Sequence, residues 1–316
     1  MMNSRLRHVL WAVPALVPMW SYATEGGAGR PITGQQIFSN AGIVPPTPGL
    51  ALTLTSIYFD GGMGASRQIP VGRTIGASLD QRVSYNLANL TYIWNTGPGR
   101  WNFASAIGIP VQYTSVTVQI SSNQRPGLSN TDHGTQFADM LINPVVASYH
   151  ISEADHVALS MPIYAPTGAY NPDRLANAGQ NTWTFSPTVA YTKLLKSGGE
   201  FSALAAVDFY TRNSDINYKN GAVFRLDAMW TAAIAPRWRL GVVGGWIEQL
   251  QNDSGPIADR LDGFKGHSVG LGPIVTWGGK IGNLPAAFTA RWVHDIDTEN
   301  RPKGNGVSFS LTLPIM

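Results

Sequence analysis

"TWTFSPTVAYT" (Thr182–Thr192) alternates strictly: Trp183, Phe185, Val189 and Tyr191 share one parity, and Thr182, Thr184, Ser186, Thr188, Ala190 and Thr192 the other. Side chains of an extended strand point to opposite faces in turn. The segment therefore has one bulky apolar face and one small polar face, and the solvent that meets the bulky face decides the fold. Pro187 stands in the bulky parity, where it withholds a ladder donor.

The whole chain narrows the choice of solvent. Its 316 residues are 13% charged, with 34 Gly, 21 Pro and no Cys, and that charged share is about half the usual one for soluble proteins. Beyond the first two dozen residues no apolar run approaches the roughly 20 residues of a spanning helix, so a helical membrane bundle is excluded. A net charge of +3 points to no nucleic-acid partner. Arg5 and Arg7 precede the apolar run from Val9 to Trp20, and Ser21, Tyr22 and Ala23 supply a peptidase site. Residues 1–23 are thus read as a signal peptide cleaved after Ala23. Export without cysteine suits a bacterial envelope protein.

Period-2 alternation recurs through nearly all of the remaining chain, as in Trp101, Phe103, Ile107, Ile109, Val111 and Tyr113, or Val307, Phe309, Leu311 and Leu313. About twelve strands are expected between residues 50 and 316, an even number as in single-chain bacterial barrels. Connections after even-numbered strands are short, such as Pro236-Arg237. Those after odd-numbered strands are generally longer, notably 60–73, 121–136, 166–181 and 252–265. Alternating long and short connections are the mark of an antiparallel transmembrane β-barrel with both termini periplasmic. Tyr92, Trp94, Trp101, Tyr149, Trp238 and Trp277 fall near strand ends, as an interfacial girdle requires. The bulky parity should then face lipid and the small polar parity the lumen. Residues 24–49, rich in Gly and Pro, precede the first strand and either tuck into the barrel as a small plug or lie in the periplasm; "GQQIF" within them suits a short turn of helix.

The same parity argument sends Arg82, Asn86, Gln112, Asp208, Arg225, Asp227, Arg291 and Asp295 into the lumen, where their mixed signs suggest a partly neutralised wall of ion pairs and hydrogen bonds. Asp139 shares parity with Leu141 and Val145, which would aim it at lipid; a place near the outer rim, bonded to loop backbone around "PTGAYNPD" (166–173), resolves the conflict. Counting from the short turns, Pro110, Pro144, Pro162 and Pro187 stand at similar height on four adjacent strands, about 20 to 30 Å along the strand. Bulging or weakened pairing is expected along this row. It either shapes the wall or opens a path from lumen to bilayer.

Six stretches, "GTQFADMLINP" (134–144), "PIYAPTGAY" (162–170), "NTWTFSP" (181–187), "GWIEQLQND" (245–253), "GLGP" (270–273) and "NRPKGNGVSF" (300–309), resemble in order the outer-membrane protein family named after the meta-pathway of phenol degradation. The resemblance extends to the "ATEGG" start at Ala23–Gly27, but the end, "SLTLPIM", departs from the general outer-membrane habit of a terminal aromatic residue. It implies an outer-membrane barrel that takes up aromatic compounds, and it supplies no catalytic residues. Without a Gly-x-Ser-x-Gly elbow, zinc-helix or phosphate-loop motif, the chain is expected to be no enzyme and to use no metal or cofactor. The expected partners are outer-membrane lipid, lipopolysaccharide and a small hydrophobic solute, met by a monomer.

Overall fold

Each apolar–polar alternation becomes a strand, and each strand pairs antiparallel with its neighbours. In the computed structural model, which describes residues 30–64, 69–71, 74–76, 78–97, 99–122 and 125–315, twelve strands close into a barrel. The first three are β1 (Gly49–Met63), β2 (Ser78–Ile93) and β3 (Trp101–Ser122). The next three are each interrupted: β4 (Arg125–Phe137 and Leu141–His150), β5 (Asp155–Ser160 and Ile163–Tyr164) and β6 (Thr184–Phe185 and Thr188–Leu194). β7 (Glu200–Tyr210), β8 (Val223–Ala235), β9 (Trp238–Gln249), β10 (His267–Ile281), β11 (Leu284–Glu299) and β12 (Lys303–Pro314) complete the wall. β12 returns to β1 along a ladder from Ala51↔Pro314 to Gly62↔Lys303. That closure removes the free edge which hydrocarbon would not tolerate. Residues 1–29, which include the expected signal peptide, lie outside the described residues.

The outer face carries the large apolar side chains. Leu54, Ile109, Leu159, Val242, Leu271 and Phe309 are all exposed. In β6, Trp183, Phe185 and Val189 face outward, whereas Thr184, Ser186 and Thr192 are fully buried within the barrel. Tyr92, Trp101 and Trp238 mark the outer surface near the short-turn end, and Tyr58, Trp183, Trp246 and Trp292 the surface toward the other end. Two girdles with an apolar band between them are the pattern of a barrel standing in a bilayer.

Turn lengths segregate by end. The short connections 151–154, 195–199, 236–237 and 282–283 lie at one end, and 165–183, 211–222 and 250–266 at the other, where 300–302 is the short exception among the described residues and the short strands Ile69–Val71 and Thr74–Gly76 pair between β1 and β2. One expected loop is instead strand: β3 and β4 run on as a tall hairpin joined by residues 123–124, where a loop over 121–136 was read. Above the girdle the outward face of the hairpin carries polar pairs such as Thr117 Oγ1 with Thr131 Oγ1 at 2.9 Å, and the inward face of its β4 arm carries Asp132, bonded to the loop 165–183, so that arm lacks the apolar alternation by which strands are recognised.

Every proline of the predicted row sits at a lapse in the ladder. Between the pairs Gly108↔Leu141 and Val111↔Phe137, β3 meets the break at residues 138–140, and Pro110 keeps one bond by accepting from the Ala138 amide at 3.0 Å. β4 and β5 are paired at Val146↔Ser160 and Ile142↔Ile163, so Pro144 and Pro162 lie in the unpaired stretch between. Further round, Pro162 accepts from the Ser186 amide at 2.9 Å and Pro187 from the Val207 amide at 3.2 Å. Each proline carbonyl can still accept, but its nitrogen has no proton to give. The ladder therefore thins along one line from β3 to β7.

The outward band fixes a testable cost. Val242 is half exposed between Trp238 and Trp246 on β9, and Val242→Arg should cost about 2 to 4 kcal/mol if that position lies near the bilayer midplane. Guanidinium titration of the refolded protein in lipid vesicles measures it, and a cost near zero would mean that the face meets water.

Candidate functional site

The lumen has two unlike walls. On β7 to β12 the inward positions include Glu200, Asp208, Arg225, Asp227, Arg291 and Asp295, all buried. These charges hold a segment of chain. Residues 30–48 lie inside the barrel and run along this wall before β1 begins. Asp227 accepts from the amides of Gly34 at 3.2 Å and Gln36 at 2.7 Å, and Arg291 donates to the Gly34 carbonyl at 3.2 Å. Thr33 meets Ser268 at 2.8 Å, Arg301 donates to the Pro31 carbonyl at 2.6 Å, and Glu200 accepts from the Asn40 amide at 3.0 Å. The approach is closest at Gly245, where a Cβ would collide with the Gly34 amide and the Asp227 carboxylate. Ile37, 1% exposed, packs into a cluster with Met229, Val243, Ile274 and Val293. Burying such a side chain contributes about 1.5 to 3 kcal/mol. The expected turn of helix at "GQQIF" is replaced by irregular turns, because these backbone groups bond the wall instead of one another.

The opposite wall carries no inward charge on β1 and β2 and mixes apolar side chains with uncharged polar ones such as Thr55, Gln81 and Asn89. Ile57, Phe59, Leu79, Val83 and Leu87 point inward from β1 and β2 and line a cavity of about 730 Å³ between wall and inserted segment. A dry apolar cavity of about 150 Å³ suffices to hold benzene, so several rings fit here. Toward the long-loop end, Leu79, Val116 and Val118 meet Ala176 and Phe264 of the two long loops 165–183 and 250–266 and cover the cavity. Toward the short turns, His150 bonds His156 through their Nδ1 atoms at 2.7 Å and Asn102 through Nε2 at 2.7 Å. Scattered in sequence, the two histidines are register partners across one turn.

Gln112, Asp208, Arg225, Asp227, Arg291 and Asp295 are thus inside. Arg225 pairs with Asp208 at 3.3 Å, and Asp208 also accepts from Ser186 at 2.6 Å beside the β6 break. Arg82 and Asn86 are corrections: both are exposed on the outer face, Arg82 reaching Asp60 at 3.4 Å and Asn86 accepting from Ser56 at 2.8 Å. On β2 the inward parity is the apolar one, since it walls the cavity. Tyr92 and Leu90, exposed in the same parity as Arg82 and Asn86, carry the signal that identifies the outward side.

For Asp139 the correction is one of place alone, since its expected bond to loop backbone within 166–173 is present at the Gly168 amide. Asp139 lies inside the barrel at the β4 break, not at the outer rim, because that break lets the chain turn inward after the outward Phe137. Its carboxylate accepts from the amides of Gly168 and Gln180, both at 2.9 Å, and pairs with Arg30 at 2.8 Å. Arg30, the first residue of the inserted segment described here, also donates to Thr184 Oγ1 at 2.8 Å and to the Thr182 carbonyl at 3.0 Å, and stacks over Tyr164. One guanidinium thus touches all three interrupted strands or their flanks. Removing one partner of such a buried pair costs about 3 to 5 kcal/mol. Nothing in its sequence surroundings marked Arg30, since its partners are more than a hundred residues away.

The profile of the family described as "putative MetA-pathway of phenol degradation" matches residues 59–311, and the chain belongs to that family. An outer membrane channel from Pseudomonas putida F1 has the same fold: TM-score 0.69, 14% identity, 88% of this chain and 99% of that one covered. A FadL homologue from Pseudomonas aeruginosa aligns over 94% of this chain and 99% of its own at 11% identity, with a TM-score of 0.41. No curated protein matches the sequence. The barrel is of the outer-membrane type.

Loop 165–183 is held over the cavity partly by Asp132, which accepts from Arg174 at 2.6 and 3.0 Å and from the Leu175 and Ala176 amides at 3.1 and 3.0 Å. The Arg174 guanidinium above all, and then the Ala176 amide, bring the Asp132 carboxyl down to about 2 against the opposing effect of burial. A depressed value stabilises the closed loop above the ordinary carboxylate range and loses that contribution as pH falls through about 2. Hydrogen exchange at Leu175 and Ala176 should therefore stay slow down to about pH 3 and accelerate below, whereas Asp132→Asn should show fast exchange at every pH. Equal protection in both proteins would contradict the clamp.

Proposed function

We propose that this member of the phenol-degradation family is a passive channel for small hydrophobic, chiefly aromatic, compounds entering through the outer membrane. The observation that carries the reading is the division of the lumen: the buried charges of β7 to β12 mostly hold the inserted segment or pair with one another, and the uncharged β1 and β2 wall, with Ile57, Phe59, Val83 and Leu87, borders the free volume. A hydrated ion or sugar gains little from such a cavity, while an apolar solute gains about 25 cal/mol for every Å² removed from water. The long loops form the outer end, where apolar contacts are the ones a hydrophobic molecule can part at least cost. Both termini and the short turns then face the periplasm. No catalytic step belongs to this reading; the barrel works as a monomer among lipid and lipopolysaccharide.

The line of lapsed pairing gives the solute a way out. The cavity borders the wall at Leu141, Asn143, Ser160 and Pro162, beside the unpaired stretch of β4 and β5. Parting strands there breaks few backbone bonds, so the solute leaves sideways into the bilayer. The chain has no cysteine, which makes the test clean. Val145 and Met161, both exposed on the outer face across that stretch, can be changed to Cys and joined by a short bis-maleimide. Naphthalene uptake by cells carrying the joined protein should fall at least tenfold relative to the unjoined variant. Undiminished uptake would refute the lateral path, and no uptake above barrel-free cells by the unmodified protein would refute the channel.

A further inference from the structure

Two tyrosines stand in the cavity with nothing to bond. Tyr85 on β2 and Tyr164 on β5 both line it beside Arg30 and Asp139, and the four groups lie within electrostatic reach of one another. Tyr85 is the register partner of Gln112, and Tyr164 that of Leu141 and Thr184, so the pair flanks the breaks in β4 to β6. A buried tyrosine hydroxyl usually finds a partner. The buried Tyr218 donates to Asp253, whereas the Tyr210 hydroxyl, closed off from solvent, has no partner among the described residues. Among the described residues neither Tyr85 nor Tyr164 has a hydroxyl partner, and neither oxygen is sealed off from the cavity.

The charges nearby are already spent. Arg30 is neutralised by Asp139 at 2.8 Å and Arg225 by Asp208 at 3.3 Å, while Arg291 and Arg301 donate to carbonyls of the inserted segment. An anion brought beside the two tyrosines, where Arg30 and Arg225 are both ion-paired, would leave water without meeting an unpaired cation, at high cost. A neutral oxygen needs only a hydroxyl to donate to it or accept from it, and two are waiting.

We infer that Tyr85 and Tyr164 form the polar anchor of a ligand site for small neutral amphiphiles: molecules with one uncharged hydroxyl or carbonyl oxygen on an apolar body that lies against Ile57, Phe59, Val83 and Leu87. The inference rests on the reading of the cavity as a path for apolar solutes and adds the chemistry that selects among them. The full-length protein in lipid nanodiscs, with empty nanodiscs subtracted, is titrated near neutral pH with 1-naphthol, naphthalene and 1-naphthoate. 1-Naphthol should bind about tenfold more tightly than naphthalene, and naphthoate most weakly. Tyr85→Phe and Tyr164→Phe keep the ring; each should weaken 1-naphthol about three- to tenfold, as the loss of one neutral hydrogen bond does, and leave naphthalene unchanged. Equal affinity for naphthol and naphthalene, or equal losses for both in the variants, would overturn the anchor while leaving the apolar cavity intact. Tightest binding of naphthoate would overturn the preference for a neutral group. Failure of all three probes to bind would overturn the underlying reading together with the anchor.

Discussion

The rest of this structure depends on the rule that a peptide group in hydrocarbon must find its partner within the protein. Twelve strands satisfy it by closing on themselves, β12 against β1. Once the ladder is complete, every irregularity has a location and a consequence. Prolines at 110, 144, 162 and 187 subtract donors along one line of the wall, and the protein does not compensate for them with a continuous ladder. It uses single proline carbonyls as acceptors and an arginine from the inserted segment that binds Asp139, Thr184 and the Tyr164 ring together.

That arrangement ties the interior to the wall. The segment from Arg30 onward is fixed by Asp227, Arg291, Arg301 and Glu200 on one side and by Arg30 at the thin line of the wall on the other. Buried charges placed in a lumen could make an ion path. Here their bonds are to backbone groups of the segment or to one another, and what remains open is the uncharged side. In the proposed function, selectivity for uncharged solutes follows from how charge is used up, not from its absence.

Much of this was legible in the sequence. The parity of Trp183, Phe185 and Val189 against Thr184 and Ser186, with the segregation of turn lengths, gave the barrel, its strand number and its outward face. Parity failed where its premise fails. On β2 the lumen is apolar and the outer surface polar, so Arg82 and Asn86 were placed on the wrong side although Tyr92 and Leu90 held the answer. Above the girdle the β4 arm of the hairpin is polar on its outward face and bonds a loop through Asp132 on the other, and no apolar alternation marks it. Asp139 defied parity because a break reverses it; the sequence showed the conflict and the loop backbone that Asp139 bonds, but not that the break carries it inside the barrel. Arg30, Tyr85 and Tyr164 were not legible: each acts through contacts set by barrel closure, and no local spacing encodes them.

The central claim is that the charged wall exists to hold the inserted segment in the lumen. Single-channel conductance of the Asp227→Ala, Arg291→Ala double variant in planar bilayers tests it most directly, because these two residues grip the Gly34 to Gln36 backbone from β8 and β11. The account predicts a conductance several-fold above that of the unaltered protein, with frequent switching as the segment leaves and returns. A steady conductance equal to that of the unaltered protein would contradict it.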